Sequence, residues 1–434
     1  MNIEPVRHIP TVPFDPEVET YTHFSGFYEA YEYSDWIDES MSWKHGCYIG
    51  DWSGLIKLRV TGPDAMRFFS DIAVNSFAQF DIGRAKHAVL CNERGKVMGE
   101  GILMRIAEQE VRFTSGPGAM WARFCFEQGT YDAQLEVVTQ QHSIQQVQGP
   151  NALSLMEEVA GESLRDIGFM RFRPIEIAGM PALLLRQGMS GEIGYEIHGA
   201  WDQAAAVYQH VLDVGRAYDI RRLGGRTKMV NHVEAAFPTP TVDYIPAWYD
   251  FAHTAELRAY LPSAAWRRLQ RHRGSLAAAN ISDLFRSPYE LGWGRNVCFD
   301  HEFIGATALR AESESEHRVL RTLVWNRDDV IDAQRSYFQE YEEPCAFMEW
   351  PRGLLGEMEA DRVCLDGQDL GVSTSRCYSV YFRDMLSLAV LEPAAAKLGA
   401  IVTVVWGDAG HRQKEIRATV TKAPYKTDNR KASL

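Results

Sequence analysis

Long apolar runs are missing from this sequence of 434 residues; none approaches the roughly 20 needed to cross a bilayer. The opening stretch, Met1 to Asp15, also lacks the basic, then apolar, then small-residue order of a secretion signal. Both absences predict a cytoplasmic protein with no membrane partner. A surplus of basic charge is missing too. The net charge of −13 repels a phosphate backbone, and no basic run or set of interleaved stacking aromatics offsets it, which excludes nucleic acid as a partner. Seven cysteines scattered from Cys47 to Cys377 contain no CxxC pair, so neither a disulfide framework nor a zinc site is expected. They read as reduced, mostly buried thiols. No Walker loop, GxGxxG turn, HExxH helix or GxSxG elbow is present. His232, in Asn231-His232-Val233-Glu234, has no second histidine at ligand spacing, and no metal is expected.

What is present is an ordinary globular composition, 46% hydrophobic and 24% charged, in a chain long enough for two or three domains. Aromatic residues reach 11% and crowd between Tyr21 and Trp52, where Tyr28, Tyr31, Tyr33, Trp36, Trp43 and Tyr48 also lie. Such a cluster lines a core or an interface, or some of its rings wall a pocket for a flat ligand.

Ile56, Leu58 and Val60 alternate with Lys57, Arg59 and Thr61 as in a half-buried strand, and Gly62-Pro63-Asp64 then opens a helix at Ala65. The same phrase returns 87 residues later, where Val147-Gln148 runs through Gly149-Pro150-Asn151 into a helix at Ala152. Proline suits a first helical turn, and Asp or Asn can cap it. A duplicated alpha/beta unit is the reading. Between the copies lie strands near Gly101 to Met104 and Val111 to Ser115. After them come a strand over Pro181 to Leu185, the glycine-rich turn Gly188 to Gly194, Tyr195-Glu196-Ile197 and a helix over Asp202 to Tyr218. Phe237 to Pro246 holds three prolines and reads as an irregular connector. From about His317 the texture becomes short alternating strands, with Asp366-Gly367 as a hairpin signal, predicting a small C-terminal barrel or sandwich.

Taken in order, several stretches resemble the aminomethyltransferase, or T-protein, family. Cys47-Tyr48-Ile49-Gly50-Asp51-Trp52-Ser53 is similar to its opening, and Leu90-Cys91-Asn92-Glu93-Arg94-Gly95 to its Asn-Glu-x-Gly turn. Gly188 to Ile197 is similar to its Gly-Tyr-Thr-Gly-Glu-x-Gly-x-Glu-Ile loop. Pro288 to Gly294, Phe303-Ile304-Gly305, Gly371 to Ser375 and Ala423-Pro424-Tyr425 complete the set. The resemblance spans roughly residues 45 to 425 and implies an alpha+beta, three-domain cloverleaf around a central folate cavity. Residues 1–58 with 140–250 would form the first, folate-binding domain, 59–139 with 251–315 the second, and 316–434 the C-terminal barrel domain.

The departures carry the functional expectation. Where the T-protein has an aspartate, this chain has Gly99, in Val97-Met98-Gly99-Glu100-Gly101, and the arginine expected before the acid at Glu234 is replaced by His232. That variant, with Arg226 and Asn280-Ile281-Ser282-Asp283, is more similar to the branch containing the vanillate and syringate O-demethylases and the sesamin-type methylenedioxy-cleaving activity. The resemblance therefore implies tetrahydrofolate as cofactor and a small aromatic ether as substrate. The products would be a phenol or catechol and methyl- or methylene-tetrahydrofolate. It implies Glu196 as the pterin-binding carboxylate, accepting paired charge-assisted bonds roughly twice as strong as neutral ones. Tyr195 adjoins it, Trp293 would pack on a ring of the cofactor, and Arg226 would meet the carboxylates of its tail. Glu100 would orient the cofactor or substrate. Because a phenolate leaves poorly, an acid is needed at the ether oxygen, and a tyrosine, protonated up to a pH near 10, suits that role. The resemblance to the demethylases, in which a tyrosine of this connector is implicated, implies Tyr244, with Tyr249 behind it. Two rivals stand beside this reading: amine demethylation of the dimethylglycine or sarcosine kind, which an acid at Gly99 would favour, and a non-catalytic folate-binding regulatory protein. Oligomeric state and the choice between methoxy and methylenedioxy substrates are left open.

Overall fold

A computed structural model describes residues 11–13, 15–24, 27–116, 118–249, 272–276, 281–352 and 358–434. Two antiparallel-rich sheets and a closed barrel dominate it. The first sheet has six strands in the order Phe172–Ile177, Met180–Arg186, Gly194–Ala200, His142–Gln148, Cys47–Asp51 and Ile220–Arg222, the last pair parallel. Its period of two sorts the side chains: Tyr195 and Ile197 enter a core with the helices Ala152–Ala160 and Ala204–Gly215, and Glu196 and His198 face the other way. The second sheet has five strands, Ala85–Cys91, Val97–Ala107, Glu110–Ser115, Ile56–Thr61 and Gln134–Val137. Leu58, Val60, Leu103 and Phe113 pack there against Phe68, Phe69 and Ile72 of the helix Ala65–Ile72 and Trp121 of Gly118–Gln128. Glu100, Ile102 and Thr114 lie on the opposite face. The two polar faces look toward each other.

The repeated phrase is the same structural device in both copies. Gly62 and Gly149 have φ of +128° and +136°, and a Cβ on either would stand 2.6 Å from the Asp132 carbonyl or 2.5 Å from that of Gly46. Capping, however, is not what Asp64 and Asn151 do, since neither side chain bonds a backbone amide of its own first turn. Asp64 instead accepts from the Arg67 side chain of its own helix at 2.6 Å and from the Asp132 amide at 2.8 Å, while Asn151 donates to the Tyr218 carbonyl at 3.0 Å. Each thereby ties its helix start to a distant segment, the bend at Asp132 or the short turn Arg216–Tyr218.

The C-terminal region is a closed six-stranded barrel rather than a sandwich, because Val319–Trp325 pairs with both Asp384–Leu391 and Lys414–Thr421. Asp366 and Gly367 turn its tightest hairpin with φ of 50° and 79°. The helix Lys228–Glu234 packs on the barrel strand Gln368–Ser379. There buried Glu234 accepts from Lys44 at 2.5 Å, Trp43 Nε1 at 3.1 Å and Ser379 at 2.6 Å, joining the helix Trp36–His45 to the barrel. All seven cysteines are free thiols. Among the described residues no helix is long and apolar enough to cross a membrane.

Candidate active site

Between the facing sheets lies a cavity of about 290 Å³. Glu196, Gln187 and Ile144 border it from the first sheet, Glu100, Ile102 and Thr114 from the second, and Phe24, Trp52 and the connector residues Phe237 and Thr239–Thr241 close it. Of the described aromatic residues between Tyr21 and Trp52, Phe24 and Trp52 reach the lining; Trp43 and Tyr48 sit in the core beneath. The Lys228 ammonium lies 4.2 Å from the Phe24 ring and 4.5 Å from that of Trp52, and pairs with Glu29 at 2.5 Å, bracing that aromatic wall from behind.

The glycine-rich turn explains how Glu196 is aimed. A Cβ on Gly188 or Gly194 would strike the Gln148 side chain, at 1.1 Å and 2.3 Å. The turn thus lies flat on the next strand, where Gln148 Oε1 accepts from the Met189 and Ser190 amides at 2.8 and 2.9 Å and from the Tyr48 hydroxyl at 2.6 Å. Glu196, only 5% exposed, is gripped just beyond it. Its Oε1 accepts from Gln187 at 2.6 Å and Gln146 at 3.0 Å, and its Oε2 lies 3.1 Å from His198 Nε2. Burial lowers the His198 pKa against the pull of Glu196. Nearby Lys57 donates to the Ser53 and Leu55 carbonyls, and burial brings its ammonium down to about 7.

At the other end Glu100 meets His87 Nε2 at 2.8 Å, and Asn296 Nδ2 lies 3.1 Å from His87 Nδ1. Gly99, the position of the missing acid, faces away from the cavity into the start of the helix Gly118–Gln128. A Cβ there would be 2.1 Å from the Cα of Gly118. His232 also borders the cavity; its Nδ1 lies 2.8 Å from the Thr239 hydroxyl, its Nε2 has no partner, and burial holds its pKa down to about 3.

Of the residues singled out from sequence, Glu196 and Glu100 come together on one cavity, and four do not line it. Tyr195 points to the opposite face of its strand, into the helix-packed core. Arg226 bonds Glu32 at 2.7 Å and covers Tyr31 and Trp36 in the N-terminal aromatic cluster, so it is not at the cavity mouth. Trp293 packs edge-on between His87 (5.0 Å) and Tyr244 (5.9 Å) instead of facing the space a ring would occupy. Tyr244 is fully buried behind the connector wall, its hydroxyl without a partner, and burial together with the Glu100 charge keeps it protonated far above the usual range. The Tyr249 side chain lies outside the described residues. Sequence reasoning passed over His87, Asn296, Gln146, Gln187 and His198. Only Asn296 had a signal, following Gly-Trp-Gly on a short turn over Gly294–Asn296.

Residues 19–248 match the family model described as the GCVT N-terminal domain. A sesamin methylene transferase of Sinomonas sp. is 34% identical over 91% of this chain and 89% of its own length. A syringate O-demethylase of Sphingobium sp. is 30% identical over the same shares of the two chains. The crystal structure of the glycine cleavage system aminomethyltransferase T from Bartonella henselae superposes with a TM-score of 0.69 over 95% of this chain and 96% of that one; at 18% identity this speaks for the fold alone. The chain belongs to the GCVT family of folate-dependent one-carbon transferases, and its cofactor is tetrahydrofolate.

Proposed function

We propose that this protein takes a one-carbon group from an aryl ether, either a methoxy methyl or a methylenedioxy bridge, and leaves a phenol or catechol. The observation that carries the reading is one cavity with a carboxylate at each end, Glu196 and Glu100, between aromatic walls. The residues present fit a reduced pterin. Glu196 is buried, its oxygens are held by neutral amides and an imidazole, and it retains lone pairs toward the cavity for the pterin's paired N–H donors. Bound tetrahydrofolate supplies the nucleophilic N5 that accepts the carbon. Phe24, Trp52 and Phe237 offer apolar surface to an arene and exclude water from it.

Glu100 and Tyr244 are the proton-handling residues of this reading. Glu100 reaches the cavity as a hydrogen-bond acceptor. Tyr244 is a donor whose hydroxyl bonds none of the described residues, at a cost of roughly 1–3 kcal/mol, and it stands behind the cavity wall, so it protonates a leaving oxygen only when the connector at Phe237 and Thr239–Thr241 shifts on ligand binding. Two relatives whose names state methylene transfer from sesamin and O-demethylation of syringate support the substrate class. The close packing of Gly99 on Gly118 argues against the amine-demethylating rival, which wants an acid there. Mass spectrometry of folates after incubation with tetrahydrofolate and a panel of methoxy- and methylenedioxy-arenes tests the reading. A new methyl- or methylene-folate peak with matching phenol supports it, and transfer from dimethylglycine alone would overturn it.

A further inference from the structure

We propose that His87 is a positioning residue that holds Glu100 as a one-sided hydrogen-bond acceptor, leaving its second oxygen for an N–H or O–H proton of the ligand in the cavity. The inference rests on the functional reading above for the role of Glu100, and on geometry for that of His87. An amide nitrogen only donates, so Asn296 Nδ2, 3.1 Å from His87 Nδ1, makes Nδ1 the acceptor and puts the ring proton on Nε2. That proton points at Glu100 Oε2, 2.8 Å away. One carboxylate oxygen is thereby tied to the neighbouring strand while the residue itself borders the cavity. The edge of Trp293, 5.0 Å from the imidazole at 84° and backed in turn by Tyr244, keeps the ring from rotating. The Gly-Trp-Gly turn thus acts on the site through His87, with Asn296 and Trp293 as its two contacts.

The other titratable groups facing Glu100 are Tyr244, whose hydroxyl feels the Glu100 charge, and His232, which borders the same cavity. Neither bonds Glu100 among the described residues, so His87 is the donor whose removal changes its environment. Without it the carboxylate loses the bond that fixes one of its oxygens.

The first test needs no turnover. Two-bond proton–nitrogen spectra of the full chain labelled with 15N-histidine, with His87→Gln to assign the signal, should show His87 protonated at Nε2 and bare at Nδ1 near neutral pH. A ring protonated at Nδ1 overturns the proposal. The second test compares His87→Phe, His87→Gln and Asn296→Leu in the transfer assay. His87→Phe should lower kcat about tenfold to a hundredfold with KM nearly unchanged. His87→Gln, whose amide can both donate to Glu100 and accept from Asn296, should recover most of the rate. A wild-type rate in His87→Phe, or additive losses when it is combined with Glu100→Gln, would overturn the assignment. Should His87→Phe fail to fold, Asn296→Leu carries the same expectation of an altered tautomer and a lowered kcat at nearly unchanged KM. If wild-type protein transfers no carbon at all, the functional reading falls and the nitrogen spectrum still decides the arrangement.

Discussion

The Cα of Gly118 occupies the place of a side chain on Gly99: a Cβ built there would lie 2.1 Å away, and the Gly118 nitrogen 2.7 Å. The reverse holds as well, since a Cβ on Gly118 would meet Ser115 Oγ at 2.6 Å and the Glu100 amide at 3.0 Å. Helix and strand therefore touch backbone to backbone at the position where the resemblance to the T-protein implies an acid. Gly99→Asp should not restore aminomethyl transfer. It should destabilise the fold by about 1–3 kcal/mol or more, because backbone has to move to admit the side chain. Denaturant unfolding together with an aminomethyl assay checks both halves.

Glu196→Gln should fold, as its neighbours are amides and a neutral imidazole, but it turns a carboxylate acceptor into a group with half the acceptor capacity. Losing one charged hydrogen bond to the cofactor costs about 1.5–3 kcal/mol, roughly tenfold to a hundredfold in Kd. Thermal stabilisation by tetrahydrofolate reads this directly. Full stabilisation of the variant would remove Glu196 from the pterin site.

Tyr244→Phe deletes a hydroxyl that bonds none of the described residues. Its thermal midpoint should stay equal to wild type or rise slightly, and its tetrahydrofolate affinity should be unchanged, while turnover is lost. Normal turnover in the variant would take Tyr244 out of the mechanism.

Two buried groups should give the stability opposite pH dependences. His232, near 6.5 when unfolded, is held down to about 3 by burial, so the unfolded chain binds the extra proton first and stability is lost as pH falls from about 6.5 toward 3. Asp361, near 3.8 when unfolded, is pushed up to about 7 by burial, so the folded chain binds the extra proton and stability is lost as pH rises from about 4 to 7. Thermal midpoints against pH should therefore flatten on the acid side in His232→Gln and between pH 4 and 7 in Asp361→Asn.

Lys44→Met should strand Glu234 in the joint between the helix Trp36–His45 and the barrel. The pair is buried on both sides, with side chains 3% and 1% exposed. Breaking one partner of such a pair costs about 3–5 kcal/mol. A chemical-denaturation midpoint unchanged from wild type would contradict the role given to this joint.

Much of the fold was legible because it is written in local periodicity. The barrel strands at Ile401–Trp406 and Lys414–Thr421, the Asp366-Gly367 hairpin and the strand carrying Glu196 follow from alternation and turn chemistry within ten residues of themselves. Glu196 could also be placed, since the glycines before it announce close backbone approach. The sequence alone likewise determined the doubled Gly-Pro-Asp/Asn phrase, whose glycine needs a positive φ wherever it occurs. Tertiary structure decided the rest, because it depends on partners far apart in the chain. Asn296 reaches His87 across 209 positions, Gln146 reaches Glu196 across 50, and Trp293 turned out to brace an imidazole instead of facing a ligand. Nor could any local pattern show that Asp64 and Asn151 would bond the Asp132 amide and the Tyr218 carbonyl in preference to the amides of their own first turns. A hydrogen bond is satisfied by whichever group the folded chain brings within about 3 Å, and sequence spacing does not encode that distance.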